Sequence, residues 1–259
     1  MRALIQLVRF GREQALSCLF PVVIFASLAI TKILPLPFLP RYDWLLIICL
    51  LMQWLMVYSG LETRDELKVI TLFHLIGLAL ELFKVHMGSW SYPEEGYFKI
   101  GGVPLYSGFM YASVASYLCQ AWRRFEVELV KWPRFWVVVV LAAAIYLNFF
   151  THHYWIDVRW WLSGLVLILF WQSWVTYKVG GTRYRMPLAL SFGLIGFFIW
   201  IAENIATFFG AWQYPNQREA WSLVHLGKVS SWLLLVIVSF LIVATLKQVK
   251  GKIPPESKS

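Results

Sequence analysis

Two segments of this 259-residue chain carry the same unusual set of side chains. Glu81 is separated by six residues from Gly88-Ser89-Trp90-Ser91-Tyr92-Pro93, and Glu203 by six from Gly210-Ala211-Trp212-Gln213-Tyr214-Pro215. The shared pattern, E-x6-G-x-W-x-Y-P, recurs at an offset of 122 residues and marks an internal duplication. A carboxylate within an apolar helix is costly, so it faces a cavity or a partner. Burial favours the neutral carboxyl, and Glu81 and Glu203 are therefore candidate catalytic acids. The rings of Trp90, Tyr92, Trp212 and Tyr214 would line the substrate pocket and stabilise a cationic intermediate through their π faces. A plainer reading makes them cap and membrane-interface residues. Lys84, three residues after Glu81, could pair with it on one helix face. The matching position beside Glu203 is Ala206, which leaves Glu203 freer to carry a proton, with Lys228 as its alternative partner.

A second constellation runs from Asn148 to Arg159, NFFTHHYWIDVR. His152, His153 and Asp157 supply two imidazoles and a carboxylate that could hold a divalent metal such as zinc, or move protons. Their spacing is no standard zinc signature, and solvated interfacial histidines are the plain alternative. Asp157 and Arg159 could equally cap and pair at the start of the next helix. His225 and Lys228, three apart, share a helix face and join the substrate-binding candidates. Cys18, Cys49 and Cys119 all lie in apolar runs and read as packing residues. The sequence contains no P-loop, nucleophile elbow, zinc-protease motif or dinucleotide fingerprint.

The elements that must position these groups follow from composition. Hydrophobic residues make up 59% of the chain and charged residues 14%, too few to cover a soluble domain of this size. Disorder and disulfide scaffolds are excluded on the same grounds. We expect an all-α polytopic membrane bundle of eight spans, at 15–36, 43–61, 69–87, 103–121, 133–151, 160–178, 187–209 and 223–246. Residues 1–246 form one membrane domain, with pseudo-repeats near 1–122 and 123–246, and residues 247–259 a basic, disordered cytoplasmic tail. The net charge of +9 suits topology better than nucleic acid, because the basic residues cluster in short loops. Sixteen Lys and Arg fall on one side and seven on the other, which puts both termini in the cytoplasm. The motifs end spans three and seven. An even separation keeps their direction, so the two four-helix repeats are parallel and both motifs face outward.

Gly88 to Tyr111, GSWSYPEEGYFKIGGVPLYSGFMY, and the segment from Asn148 to Arg159 resemble the YoaT-like family of uncharacterised bacterial multi-pass membrane proteins. That resemblance implies a bacterial plasma-membrane protein and no particular activity. Glu81, Gly88-x-Trp90-x-Tyr92 and Val103-Pro104-Leu105 are also locally similar to membrane carotenoid hydratases and small-subunit lycopene cyclases. Those cyclases carry Pro-x-Glu-Glu, where this chain has Pro93-Glu94-Glu95. The leading expectation is acid-catalysed processing of an isoprenoid or other lipid in the bilayer. A proton-coupled transporter, a metal-dependent membrane enzyme and an accessory membrane protein without a substrate are the alternatives.

Overall fold

A computed structural model describes residues 2–252, with side chains described for 3–247. The fold is mostly helical. Helix α1 (Arg2–Ser17) bends by 68° at Cys18 into α2 (Leu19–Ile33), which is followed by α3 (Arg41–Tyr58) and α4 (Arg64–His86). A short hairpin of β1 (Lys99–Ile100) and β2 (Val103–Pro104) leads to α5 (Ser107–Arg124) and β3 (Glu128–Val130). Then come α6 (Phe135–Thr151), α7 (Arg159–Leu169), β4 (Trp174–Val179), β5 (Thr182–Pro187), α8 (Leu188–Phe208) and α9 (Lys228–Lys252). Helices α2 to α9 fall in order on the eight expected runs. Four of them, α3, α4, α8 and α9, are long and apolar enough to cross a membrane, and the bent α1–α2 pair is a fifth candidate.

Three expectations change. The run 160–178 is not one helix. It contains the 11-residue α7 and then enters β4. Val175, Thr176, Tyr177 and Val179 favour a strand, and Gly180 and Gly181, at φ 54° and 86°, close a two-residue hairpin to β5. With β3 they form an antiparallel sheet in the order β3-β4-β5, where the sequence suggested plain basic loops. Secondly, α1 is a separate amphipathic helix. Leu4, Leu7 and Val8 are exposed on one face, while Phe10 packs against Phe125 and Tyr177 at 5.4 and 6.0 Å. A bent, amphipathic helix of this kind suits the plane of a membrane interface. Thirdly, α9 continues to Lys252, so the first residues of the expected tail are helical; residues 253–259 lie outside the described residues.

The core has two clusters. One gathers Phe20, Leu28, Leu45, Ile70 and Ala112 from α2 to α5, and the other Val138, Val166, Phe192, Leu234 and Val243 from α6 to α9. Each half closes on a tight helix pair. A Cβ on Gly77 of α4 would lie 2.4 Å from the Tyr111 ring of α5, and one on Gly196 of α8 would lie 2.8 Å from the Leu233 nitrogen of α9. Tyr111 and Leu233 are themselves 122 residues apart. The missing side chains let each pair approach closely, although the glycines themselves, Gly77 and Gly196, are 119 residues apart and so lie one turn out of step. At the sheet-side end of the helices, α4 starts with a capping box. The Glu66 amide donates to Thr63 Oγ1 at 3.2 Å, and the Thr63 amide to Glu66 Oε2 at 2.9 Å. Lys247 of α9 then pairs with Glu66 at 2.6 Å.

Candidate functional site between the two halves

The two motifs end their helices in the same way. The Ser89 amide donates to the Lys84 carbonyl and the Ala211 amide to the Ala206 carbonyl, each at 2.9 Å. Gly88 and Gly210 take left-handed φ values of 68° and 71°. Both are Schellman stops, for which glycine is the residue without a Cβ penalty. The chain then turns back, so that Tyr92 reaches Glu81 and Tyr214 reaches Glu203, both 11 residues downstream of the glutamate. The halves meet at an antiparallel bridge. Ser91 and Gln213, equivalent positions in the motif, exchange amide-to-carbonyl hydrogen bonds at 2.9 Å in both directions. Such a pair is two-fold symmetric.

Each glutamate is buried at 3% exposure and held by neutral donors. Glu81 accepts from Trp90 Nε1 at 2.7 Å, Tyr92 Oη at 2.8 Å and Tyr111 Oη at 2.8 Å. Glu203 accepts from Tyr214 Oη and, at 2.7 Å, from Trp232 Nε1. Burial, reinforced by the adjacent glutamates, pushes the Tyr92 and Tyr214 hydroxyls well up, so both stay protonated donors. A carboxyl has about four acceptor positions. Glu81 has three engaged and Glu203 two, so Glu203 retains more room for a proton and a reacting group.

Both glutamates line one cavity of about 910 Å³. Its wall follows one face of α8 through Leu188, Ser191, Ile195, Ile199 and Glu203 to Ala206. That is about 27 Å at 1.5 Å per residue. Phe10 and Tyr177 line the sheet-side end, and Ser89, His152 and Arg159 the motif end. The lining is overwhelmingly apolar, and its charged groups, Glu81, Lys84, Arg159, Glu203 and Lys228, gather at the motif end. A long apolar space with a few convergent polar groups is the form of a small-molecule site.

The expected site residues separate into three groups. Glu81, Glu203, Trp90, Trp212, Tyr214 and Lys228 all line the cavity. Tyr92 stands behind them, on Glu81. His225 does not join. It is exposed on the loop before α9, where its Nδ1 accepts from the Gly227 amide at 3.0 Å.

Two pairings differ from expectation. Ion pairs among the described residues include neither glutamate of the repeat and neither Lys84 nor Lys228. Lys84 turns to the imidazoles instead, donating to His153 Nε2 at 2.9 Å and lying 3.4 Å from His152 Nε2. The His152 Nδ1 is 2.8 Å from the Asn148 carbonyl, which can only accept, so His152 is protonated on Nδ1 and its Nε2 is free to accept. Lys228 places its ammonium over the rings of Trp90, at 5.4 Å, and Tyr214, at 4.8 Å. Two of the ring faces expected to meet a substrate cation thus already hold a cation of the protein.

The histidine segment does not assemble as a metal set. Among the described residues no group of three or more His, Cys, Asp or Glu is placed to hold a metal ion. His152 and His153 face Lys84, whereas Asp157 accepts from the Arg159 amide at 3.0 Å and pairs with Arg159 Nε at 2.5 Å. That is the cap-and-pair alternative at the start of α7. Asp157 is held below the usual carboxylate range: burial opposes ionisation, but the hydrogen bonds from Arg159 and Asn148 outweigh it. Burial and the Lys84 charge push His153 down to about 4, so it is neutral at pH 7. The carboxylate of Glu94 is likewise engaged, by Arg41 at 2.9 Å and Lys32 at 3.3 Å.

The sequence reading missed Tyr111 and Trp232, which complete the two glutamate sites from α5 and α9. Their separations from the glutamates are 30 and 29 residues, beyond any local pattern.

The chain is similar to known proteins in fold and in sequence. The crystal structure of a cross-linked MvINS trimer has a similar fold, with a TM-score of 0.51 at 12% identity over 74% of this chain and 97% of that one. The chain is 84% identical over 258 residues to "Uncharacterized protein YoaT" of Bacillus subtilis (strain 168), covering all of this chain and 98% of that protein. The family model described as "Protein of unknown function (DUF817)" matches residues 6–240, and the chain belongs to that family.

Proposed function

We infer that this is a multi-pass plasma-membrane protein that takes an isoprenoid or other lipid into the cavity between its halves and processes it by acid catalysis at Glu203. One observation carries the reading: carboxyls from both halves line a single apolar space as long as a membrane helix. The wall suits a hydrocarbon chain, because contact with it removes apolar surface from water or headgroups. Glu203, in its acid form, gives a proton to a double bond or an oxygen of the substrate. Protonation of a double bond, or of a C–O oxygen that leaves as water or alcohol, yields a carbocation; it loses a neighbouring C–H proton to Glu203, or water captures it and gives its surplus proton back to Glu203. Tyr214 and Trp232 orient the carboxyl, and Glu81 with its three donors braces the other half. In this reading α3, α4, α8 and α9 cross the bilayer, the shorter helices pack among them, the two halves are parallel repeats, both termini are cytoplasmic and α1 lies at the inner interface.

The test pairs lipid extraction with turnover of a candidate polyene or isoprenoid by wild type and Glu203→Gln. The reading expects turnover lost in a folded variant that still binds the lipid. Full activity in Glu203→Gln contradicts it. Proton-coupled transport is the second reading, favoured by the reach of the cavity along α8 from Leu188 to Ala206. Proton-linked uptake into proteoliposomes would decide for it.

A further inference from the structure

Lys84 is 4% exposed, sits within the helix that carries Glu81 and is outside every ion pair among the described residues. Its partners are the neutral acceptors His152 and His153. A buried ammonium with no direct ion-pair partner is costly, and within an apolar helix it marks a functional site. Lys228 is a second ammonium on the same wall, resting on two aromatic rings. Arg159 is a third cation there. It is paired with Asp157, and its Nη1 reaches Ser231 at 3.2 Å. Lys228 and Arg159 are the first residues of α9 and α7, so the positive ends of two helix dipoles face the same region. The Ser89 and Ser231 side chains are further donors on this wall.

We propose that the motif end of the cavity is an anion site in which Lys84 and Lys228, supported by Arg159, bind the phosphate of a lipid whose chain fills the apolar length. The inference rests on the lipid-processing reading and names its substrate class, a phosphate-bearing amphiphile. With Glu203 in its acid form, the region carries more positive than negative charge, and an anionic head completes it. The arrangement separates tasks. Ammonium groups fix the head, the apolar wall along α8 fixes the chain, and Glu203 lies between them within reach of the first carbons.

Binding is measured on the full chain in detergent micelles by quenching of tryptophan fluorescence. The probes are farnesyl phosphate, farnesol, dioleoyl phosphatidylglycerol and inorganic phosphate. We expect farnesyl phosphate to bind at least tenfold more tightly than farnesol, and Lys84→Gln and Lys228→Gln each to remove most of that difference. Lys84→Arg should restore part of it. Lys228→Gln keeps the test valid if the Lys84 variant does not fold. Competition by phosphatidylglycerol but not by free phosphate identifies a lipid headgroup, and competition by free phosphate alone shows a phosphate site that needs no chain; both support the anion site. Equal binding of farnesyl phosphate and farnesol, unchanged in the lysine variants, overturns it while leaving the lipid reading intact. Lysine-dependent phosphate binding in a protein without turnover sinks the enzyme reading and spares this one.

Discussion

Ser91 and Gln213 occupy the same place in two copies of one motif, and they bond to each other through both backbone groups at 2.9 Å. Two segments of matching sequence therefore meet each other at this point, and Trp90 of the first meets Tyr214 of the second edge-on at 5.9 Å. The site belongs to neither half alone.

The two helix stops should respond alike. Gly88→Ala and Gly210→Ala each force a Cβ into the left-handed region, at a cost of about 1 kcal/mol. A Cβ at Gly88 meets nothing within 4 Å, so backbone strain is its whole effect. Thermal unfolding in detergent should show similar losses for the two variants. A neutral Gly88→Ala would contradict the Schellman assignment.

Gly77→Ala drives a Cβ into the Tyr111 ring, whose hydroxyl holds Glu81. Overpacking of this kind costs about 1–3 kcal/mol. Gly164→Ala is the control, with open space at its Cβ. The first variant should lose stability and lipid binding together, and the second neither.

Much of this site was legible from residue type and spacing, for a physical reason. The motif combines a helix stop with a return of the chain over the last turn, so Glu81 and Tyr92, or Glu203 and Tyr214, meet through local geometry alone. The Asp157–Arg159 pair is equally local. Trp232 and Tyr111 come from other helices, and their contacts depend on helix rotation and packing that no short pattern encodes. The replacement of Trp212 by Trp232 as the indole donor to Glu203 breaks the repeat in this way. The β4–β5 hairpin was readable in principle from Gly180-Gly181 between β-formers, but the long apolar run leading into it masked that signal.

Removing the Glu81 carboxyl orphans three donors, and removing that of Glu203 orphans two. An unsatisfied buried donor costs about 1–3 kcal/mol. Glu81→Ala should therefore be the more destabilising change, while Glu203→Ala should cost more activity relative to stability. Equal stability losses would argue against the donor assignments.

His153 gives the fold a pH dependence. Its folded value lies near 4, below its ordinary value of 6.5. The neutral form is thus favoured by folding, and its contribution is fully present above pH 6.5. It is lost as pH falls toward 4, because the unfolded chain gains a proton that the folded chain refuses. Wild type should lose thermal stability across that window, and His153→Asn should lose less. Identical profiles for the two proteins would remove His153 as the cause.

The central claim is that the space between the halves holds a lipid. Mass spectrometry of lipids extracted from the purified protein tests it most directly, with Ala202→Trp as the comparison because Ala202 lines that space. The account predicts a defined lipid near one per chain in wild type and its loss from a folded Ala202→Trp. The same bulk-membrane lipid profile in both proteins, with no enriched species, would contradict it.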